Sequence, residues 1–482
     1  MKNKLILLTG ATGYIGGRLL QELEKKQLKI RCLARRPEAL ASKLGSNTEI
    51  IKGDVLDKDS LIPIMNGVKI AFYLVHSMGS KGPFEQMDRV AAKNFIEIAQ
   101  KSGVKLVIYL GGLCDEKETL SSHLRSRTEV GNILRNSSVP VIEFRASIVI
   151  GSGSLSFEMI RSLVERLPIM LIPRWSLMKA QPIGIQDLIS YLIEAISLDI
   201  DSSQIFEIGG KDRFSYVDIM RIYAKCINRR VFMIPVPVLT PYLSSLWLGL
   251  ITPLYARIGK KLIESIVHSS IVKNESALKF FKIKPIGVEA SIRSAIELEN
   301  EDIPISRWYD SISSCKENIS FKEEKFGKRL LDFKTLNISV PPETAFKPIQ
   351  SIGGPTGWYA WNWLWQFRGF IDLLIGGVGM RRGRSHREKL ITGGTIDFWR
   401  IEKFVQNKLL RLSAEMKLPG RAWLEFEIVS NGSASTIKQT AIFDPLGISG
   451  KFYWYALYPI HQLIFKDMIQ AIAKKALELD NQ

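Results

Sequence analysis

The stretch Thr9-Gly10-Ala11-Thr12-Gly13-Tyr14-Ile15-Gly16-Gly17 constrains the fold of this chain more than any other. It follows the apolar run Leu5-Ile6-Leu7-Leu8 and opens the amphipathic segment from Arg18 to Lys26. The pattern reads as a buried parallel strand, a glycine turn and a helix N-terminus. Gly10 permits the tight turn, Gly13 lets main chain approach a pyrophosphate, and Gly16 lets the helix pack on the strand. The first N–H groups of a helix have no partner within it, and with the helix dipole they favour phosphate charge. The spacing therefore predicts dinucleotide binding at the start of an α/β sheet.

Segments 28–34, 49–52, 69–75, 104–110 and 139–144 read as further strands, with a helix from Phe84 to Ser102 among them. Strands alternating with helices predict a Rossmann-type, doubly wound parallel sheet. The second strand ends in Arg35-Arg36-Pro37. An acidic residue there holds a ribose 2′-OH, whereas arginine accommodates a 2′-phosphate, so Arg35 and Arg36 predict NADP, with NAD as the alternative. The third strand delivers Gly53-Asp54-Val55 to the sheet edge where ligands bind, with Asp54 placed to accept from an adenine amine. The fourth ends at His76-Ser77-Met78-Gly79, and Gly111-Gly112 follow the fifth.

At 482 residues the chain exceeds one typical core, and two units are expected. Cys32, Cys114, Cys226 and Cys315 are scattered, indicating neither a metal site nor a disulfide framework. A net charge of +18 favours anionic company: a phosphorylated cofactor or an acidic membrane surface. No nucleic-acid-binding signature is present, so no nucleic-acid partner is expected. Lys2 and Lys4 precede only four apolar residues, too few for a signal-peptide core, and a cytoplasmic location is expected, with peripheral membrane contact as an addition.

The glycine turn, Gly53-Asp54-Val55, the helix carrying Asn94, and Arg145 followed by Gly151 resemble the extended or atypical short-chain dehydrogenase/reductases, the epimerase/dehydratase-like branch. The resemblance covers roughly residues 1 to 300. It implies that Gly10, Thr12, Gly13, Tyr14, Ile15 and Gly16 hold the pyrophosphate, Arg35 the 2′-phosphate and Asp54 the adenine.

Ordinary members of that family use a Tyr-x-x-x-Lys pair one helical turn apart, the Lys ammonium lowering the pKa of the Tyr acid/base. This sequence instead has His123 and Arg127 in that place, and glycines where a Ser or Thr is usual, with Ser121 and Ser122 as substitute hydroxyls. Either His123 transfers the proton while Arg127 anchors the cofactor, or the site retains nucleotide affinity alone. The expectations are an NAD(P)H-dependent oxidoreductase acting on an apolar carbonyl, enone or quinone; a redox-silent sensor or assembly factor; or an epimerase/isomerase.

Residues 146–210 read as a substrate lid more aromatic and aliphatic than charged. The span 231–258 is the most hydrophobic, but Pro235, Pro237, Pro241 and Pro253 leave no stretch near the roughly 20 residues that cross a bilayer, so a buried or interfacial helix is expected. The predicted organisation is a nucleotide-binding domain over 1–310, a linker over 311–328 and a second domain over 329–482. In the last, alternating runs at 410–417 and 422–428, a strand at 437–443 and a closing helix bearing Phe465, Met468, Ile472 and Ala476 resemble the α+β helix-grip, START-like domains, which wrap an apolar ligand. Asp397-Phe398-Trp399-Arg400, the segment 414–420 and Tyr453-Trp454-Tyr455 also resemble a domain of unassigned function found behind short-chain dehydrogenase-like domains. The basic run from Arg381 to Arg387 reads as a solvated loop or a phosphate or headgroup contact.

Overall fold

The structure is a computed structural model and describes residues 4–35, 37, 40, 45, 47–77, 84–115, 120–236, 264, 266, 269–300, 329–380, 382–384, 389–432 and 434–480. Arg36, Met78 and Gly79, most of the hydrophobic span, the 311–328 linker, and Arg381 and 385–387 of the basic run lie outside the described residues. The chain folds into two compact units, Met1–Ser314 and Cys315–Gln482.

In the first unit seven strands form one sheet: β1 (Leu5–Thr9), β2 (Lys29–Ala34), β3 (Thr48–Lys52), β4 (Val68–Tyr73), β5 (Leu106–Gly112), β6 (Val141–Ala146) and β7 (Gln204–Ile208). Their order is β7-β6-β5-β4-β1-β2-β3, with every pairing parallel. β1 is central and buried on both faces, which is why it reads as an unbroken apolar run. Its Ile6 and Leu8 pack with α1 (Tyr14–Lys25), and Leu7 packs on the other face with α2 (Lys58–Met65), α3 (Phe84–Lys101) and α4 (Ser122–Arg135). Farther along, α5 (Leu155–Arg166), α6 (Ile185–Ala195), α7 (Tyr216–Cys226) and α8 (Val288–Asn300) follow, α5, α7 and α8 sharing a second apolar cluster.

The second unit is a six-stranded antiparallel sheet ordered β8 (Leu330–Ile338), β13 (Ala434–Pro445), β12 (Gly420–Asn431), β11 (Leu409–Ala414), β10 (Trp399–Val405), β9 (Thr395–Ile396). Helices α9 (Pro342–Gln350), α10 (Asn362–Leu374) and the 34-residue α11 (Gly447–Asp480) complete it, with α11 packed on α9, β8 and β13. This is the α+β arrangement that the helix-grip resemblance implies. β11 stops at Ala414 rather than running to Lys417, because Glu415 turns inward to meet two buried guanidiniums, Arg382 and Arg400. Burial pushes the Glu415 carboxyl up, and the charges of Arg400 and Arg382 outweigh it, holding it well below the usual carboxylate range. Among the described residues no helix is long and apolar enough to cross a membrane, and no cluster of His, Cys, Asp or Glu suits a metal ion.

Candidate functional site

The sheet order reverses direction between β1 and β4, the place where open α/β sheets bind ligands beyond their strand ends. Thr9 fixes that crevice: its hydroxyl donates to Phe72 O at 2.9 Å and accepts from Leu74 N at 3.2 Å, lacing the two strand ends together. Gly10 takes φ +74°, and a Cβ there would lie 2.6 Å from Leu74 O. At Gly16 a Cβ would stand 2.2 Å from Gly10 O, so the helix meets the turn only because that residue is glycine. Around Gly13, by contrast, Gly10 O alone among the described residues lies within 4 Å of a Cβ position, at 3.1 Å. Gly13 is the N-cap of α1 without a side-chain cap, and the first turn carries no carboxylate. Half-buried Thr12 and Ile15 flank it. A diphosphate fits this cradle through main-chain N–H groups.

Tyr14 turns its side chain inward. A Cβ on Gly151 would lie 2.3 Å from the Tyr14 hydroxyl, and Arg18 stacks on the Tyr14 ring at 4.9 Å while donating to Ser152 O at 2.8 Å. Tyr14 therefore offers a ligand its backbone and uses its ring to seat the start of the lid.

Arg35 is exposed at the end of β2. Asp54 follows β3, where its Oδ1 accepts from Leu56 N at 3.0 Å, and Ser60 Oγ accepts from Asp54 N at 3.1 Å. Asn94 of α3 donates to the carbonyls of buried Val55 and Leu56 at 3.3 and 3.1 Å. That loop is thus held on two sides, which explains the Asn94 in the motif.

His123 and Arg127 lie one turn apart on α4, the helix after β5, as their spacing predicts. Ser121 caps that helix, accepting from Leu124 N at 3.3 Å. Tyr109 donates to Arg127 O at 3.0 Å, and Arg89 of α3 grips Glu129 through two hydrogen bonds of 2.6 and 3.0 Å. Arg127 Nε is buried without a hydrogen-bond partner among the described residues. Gly111 and Gly112 are the last residues of β5 rather than the residues after it, and a Cβ on Gly112 would stand 3.0 Å from Leu124 Cδ2. Leu124 therefore fills the space beside Gly112, and Leu113 and Cys114 follow the strand.

One residue of this neighbourhood left no motif in the sequence. Asp88 of α3, buried at 3% exposure, bonds His76 Nδ1 through Oδ2 at 2.8 Å, accepts from Ser77 N at 2.8 Å, and accepts from Ser126 Oγ at 3.0 Å. The ring of His76 lies 5.0 Å from that of His123. Burial pushes the Asp88 carboxyl up, but the hydrogen bond and charge of His76 and the bonds from Ser77 prevail and bring it down to about 2. With the carboxylate ionised, the shared proton sits on His76. The only cue in the sequence was a histidine ending a strand at the switch point; its partner sits twelve residues on, unmarked by any motif.

A cleft of about 430 Å³ is lined by Asp115, Arg213, Lys273 and Glu275 together with Ile271 and Val272. Lys273 pairs with Asp115 at 2.5 Å and Arg213 with Glu275 at 3.6 Å.

The NmrA-like family matches residues 2–298, and a family described as a protein of unknown function, DUF2867, matches residues 327–468. The chain is 27% identical to sanguinarine reductase of Eschscholzia californica over 173 residues, 28% of this chain and 61% of that protein. It is 23% identical to the chloroplastic divinyl chlorophyllide a 8-vinyl-reductase of Arabidopsis thaliana over 254 residues, 48% of this chain and 60% of that protein. The chain thus spans about three fifths of the length of these two curated relatives. Among solved structures, Citrobacter sp. triphenylmethane reductase complexed with NADP(H) shares the fold of the first unit, with TM-score 0.50 and 15% identity over 61% of this chain and 100% of that one.

Proposed function

We propose that this chain, which belongs to the NmrA-like family, binds NADPH on its first unit and reduces an apolar carbonyl, enone or quinone-type compound. The observation that carries the reading is the uncapped glycine turn at the switch point, flanked at the adjoining strand end by His76, Asp88 and His123. Gly10, Thr12, Gly13, Tyr14, Ile15 and Gly16 hold the diphosphate by main-chain groups, Arg35 and Arg36 receive the 2′-phosphate, and Asp54 and Val55 border the adenine. The cofactor, when bound, supplies hydride. His123 delivers the proton that neutralises the developing oxyanion, and Arg127 anchors the ribose or phosphate. Asp88 orients His76 beside His123. NADP(H) in the Citrobacter enzyme's structure and the reductase names of the two relatives support this reading.

A second reading, a redox-silent NADPH sensor, is favoured by the absence of the Tyr-x-x-x-Lys pair and by Leu124 filling the space beside Gly112. One experiment separates the two. NADPH oxidation is followed with a panel of apolar carbonyls, enones and quinones, in the native chain and in His123→Ala. Turnover that falls about 10²-fold or more in the variant, with cofactor affinity kept, supports the reductase. Tight binding with no turnover across the panel overturns it for the sensor.

A further inference from the structure

Two helices of the second unit turn apolar side chains to solvent. On α10, Trp363, Phe367, Phe370 and Leu374 recur at intervals of four, three and four residues, and each is more than half exposed. Over the first half of α11, Ile448, Phe452, Tyr455 and Leu463 repeat the pattern, from 55% to 87% exposed. Both stripes follow the helical period, so each is one continuous face. Trp361, the residue before α10, donates from Nε1 to Asp467 of α11 at 2.7 Å.

Charge decides what covers such a surface. Residues 361–376 contain one carboxylate, Asp372, and it is fully buried, accepting from Gly379 N at 2.9 Å and Lys417 N at 2.7 Å. Residues 447–466 contain none. The charges that accompany the stripes are Arg368, Lys451 and Lys466, and Lys417 binds the Ile375 carbonyl at the end of α10. A twofold contact between two copies would oppose these cations to themselves, the stripes themselves holding no exposed carboxylate and Asp467 at their border already accepting from Trp361. Tryptophan, tyrosine and phenylalanine bordered by lysine and arginine suit instead the boundary between acyl chains and anionic headgroups, where aromatic rings have one apolar and one wet side and lysine stems reach outward.

We propose that the outer faces of α10 and of the first half of α11 form a docking surface for an anionic phospholipid bilayer.

The test is flotation of the full chain with vesicles of phosphatidylcholine containing phosphatidylglycerol, and with phosphatidylcholine alone. The expected result is binding to the anionic vesicles, weakened by salt and reduced roughly tenfold or more in Phe367→Ser/Phe370→Ser and in Phe452→Ser/Tyr455→Ser. Hydrogen exchange on the native chain serves as a second reading that no unfolded variant can confuse: vesicles should protect 363–374 and 448–463. No binding, binding unchanged in both double variants, or a concentration-dependent dimer that the same substitutions dissolve would each overturn the proposal.

Discussion

The ring centroids of His123 and His76 lie 5.0 Å apart, and His76 is itself held by the buried carboxylate of Asp88 at 2.8 Å. A residue that would look like an isolated substitution for the family's tyrosine is thereby part of a three-residue arrangement anchored in α3. Because Ser126 also reaches Asp88, α4 cannot slide along α3 without breaking the arrangement.

Asp88→Asn should therefore lower turnover by roughly ten- to a hundredfold while leaving NADPH affinity within about twofold, since Asp88 acts on the proton and touches no part of the glycine turn. In the native protein the folded carboxyl titrates at about 2, below its ordinary value of 3.8. Its stabilisation is thus complete above that ordinary value and is lost as pH falls through about 2. A pH–rate profile of the variant, measured beside a cofactor titration, checks both parts.

The glycines of the turn should separate fold from ligand. Gly13→Ala adds a methyl whose only neighbour is Gly10 O at 3.1 Å, on backbone that alanine adopts, so melting should change by no more than about 1 kcal/mol while cofactor affinity falls. Gly16→Ala forces its Cβ to 2.2 Å from the same carbonyl and should lower both the melting temperature and the affinity. Thermal melts paired with calorimetry distinguish the two positions.

His461 in α11 predicts the pH dependence of the second unit. Burial holds its imidazole at about 4, below the ordinary 6.5, despite the opposing charge of Asp332. The unfolded chain binds the proton first, so stability is full above about 6.5 and declines as pH falls toward 4, by up to about 3 kcal/mol. His461→Phe should flatten the denaturant midpoint across that window.

The parallel sheet was legible because β1 and its neighbours are buried on both faces and leave unbroken apolar runs, and because Gly10 and Gly16 each answer a separate steric demand. Strand β8 and helix α9 left weaker traces. Leu331 and Phe333 of β8 are exposed, while Asp332 between them is buried, which inverts the usual alternation. The early start of α11 at Gly447 was hidden for a related reason: its first half has Trp454 as its one large buried side chain, so periodicity marked only the packed half from Ile464 onward. At the site, His123 and Arg127 were visible by their spacing. Asp88 was not, because a buried carboxylate on a helix reveals itself only when the fold brings His76 and Ser126 against it.

Titration calorimetry of the full chain with NADPH and with NADH tests the glycine turn and its neighbouring arginine most directly. Saturable binding of NADPH is expected, roughly tenfold or more tighter than NADH because a guanidinium meets the 2′-phosphate, with that difference erased in Arg35→Ala. Heats indistinguishable from dilution for both coenzymes would contradict nucleotide binding at this turn.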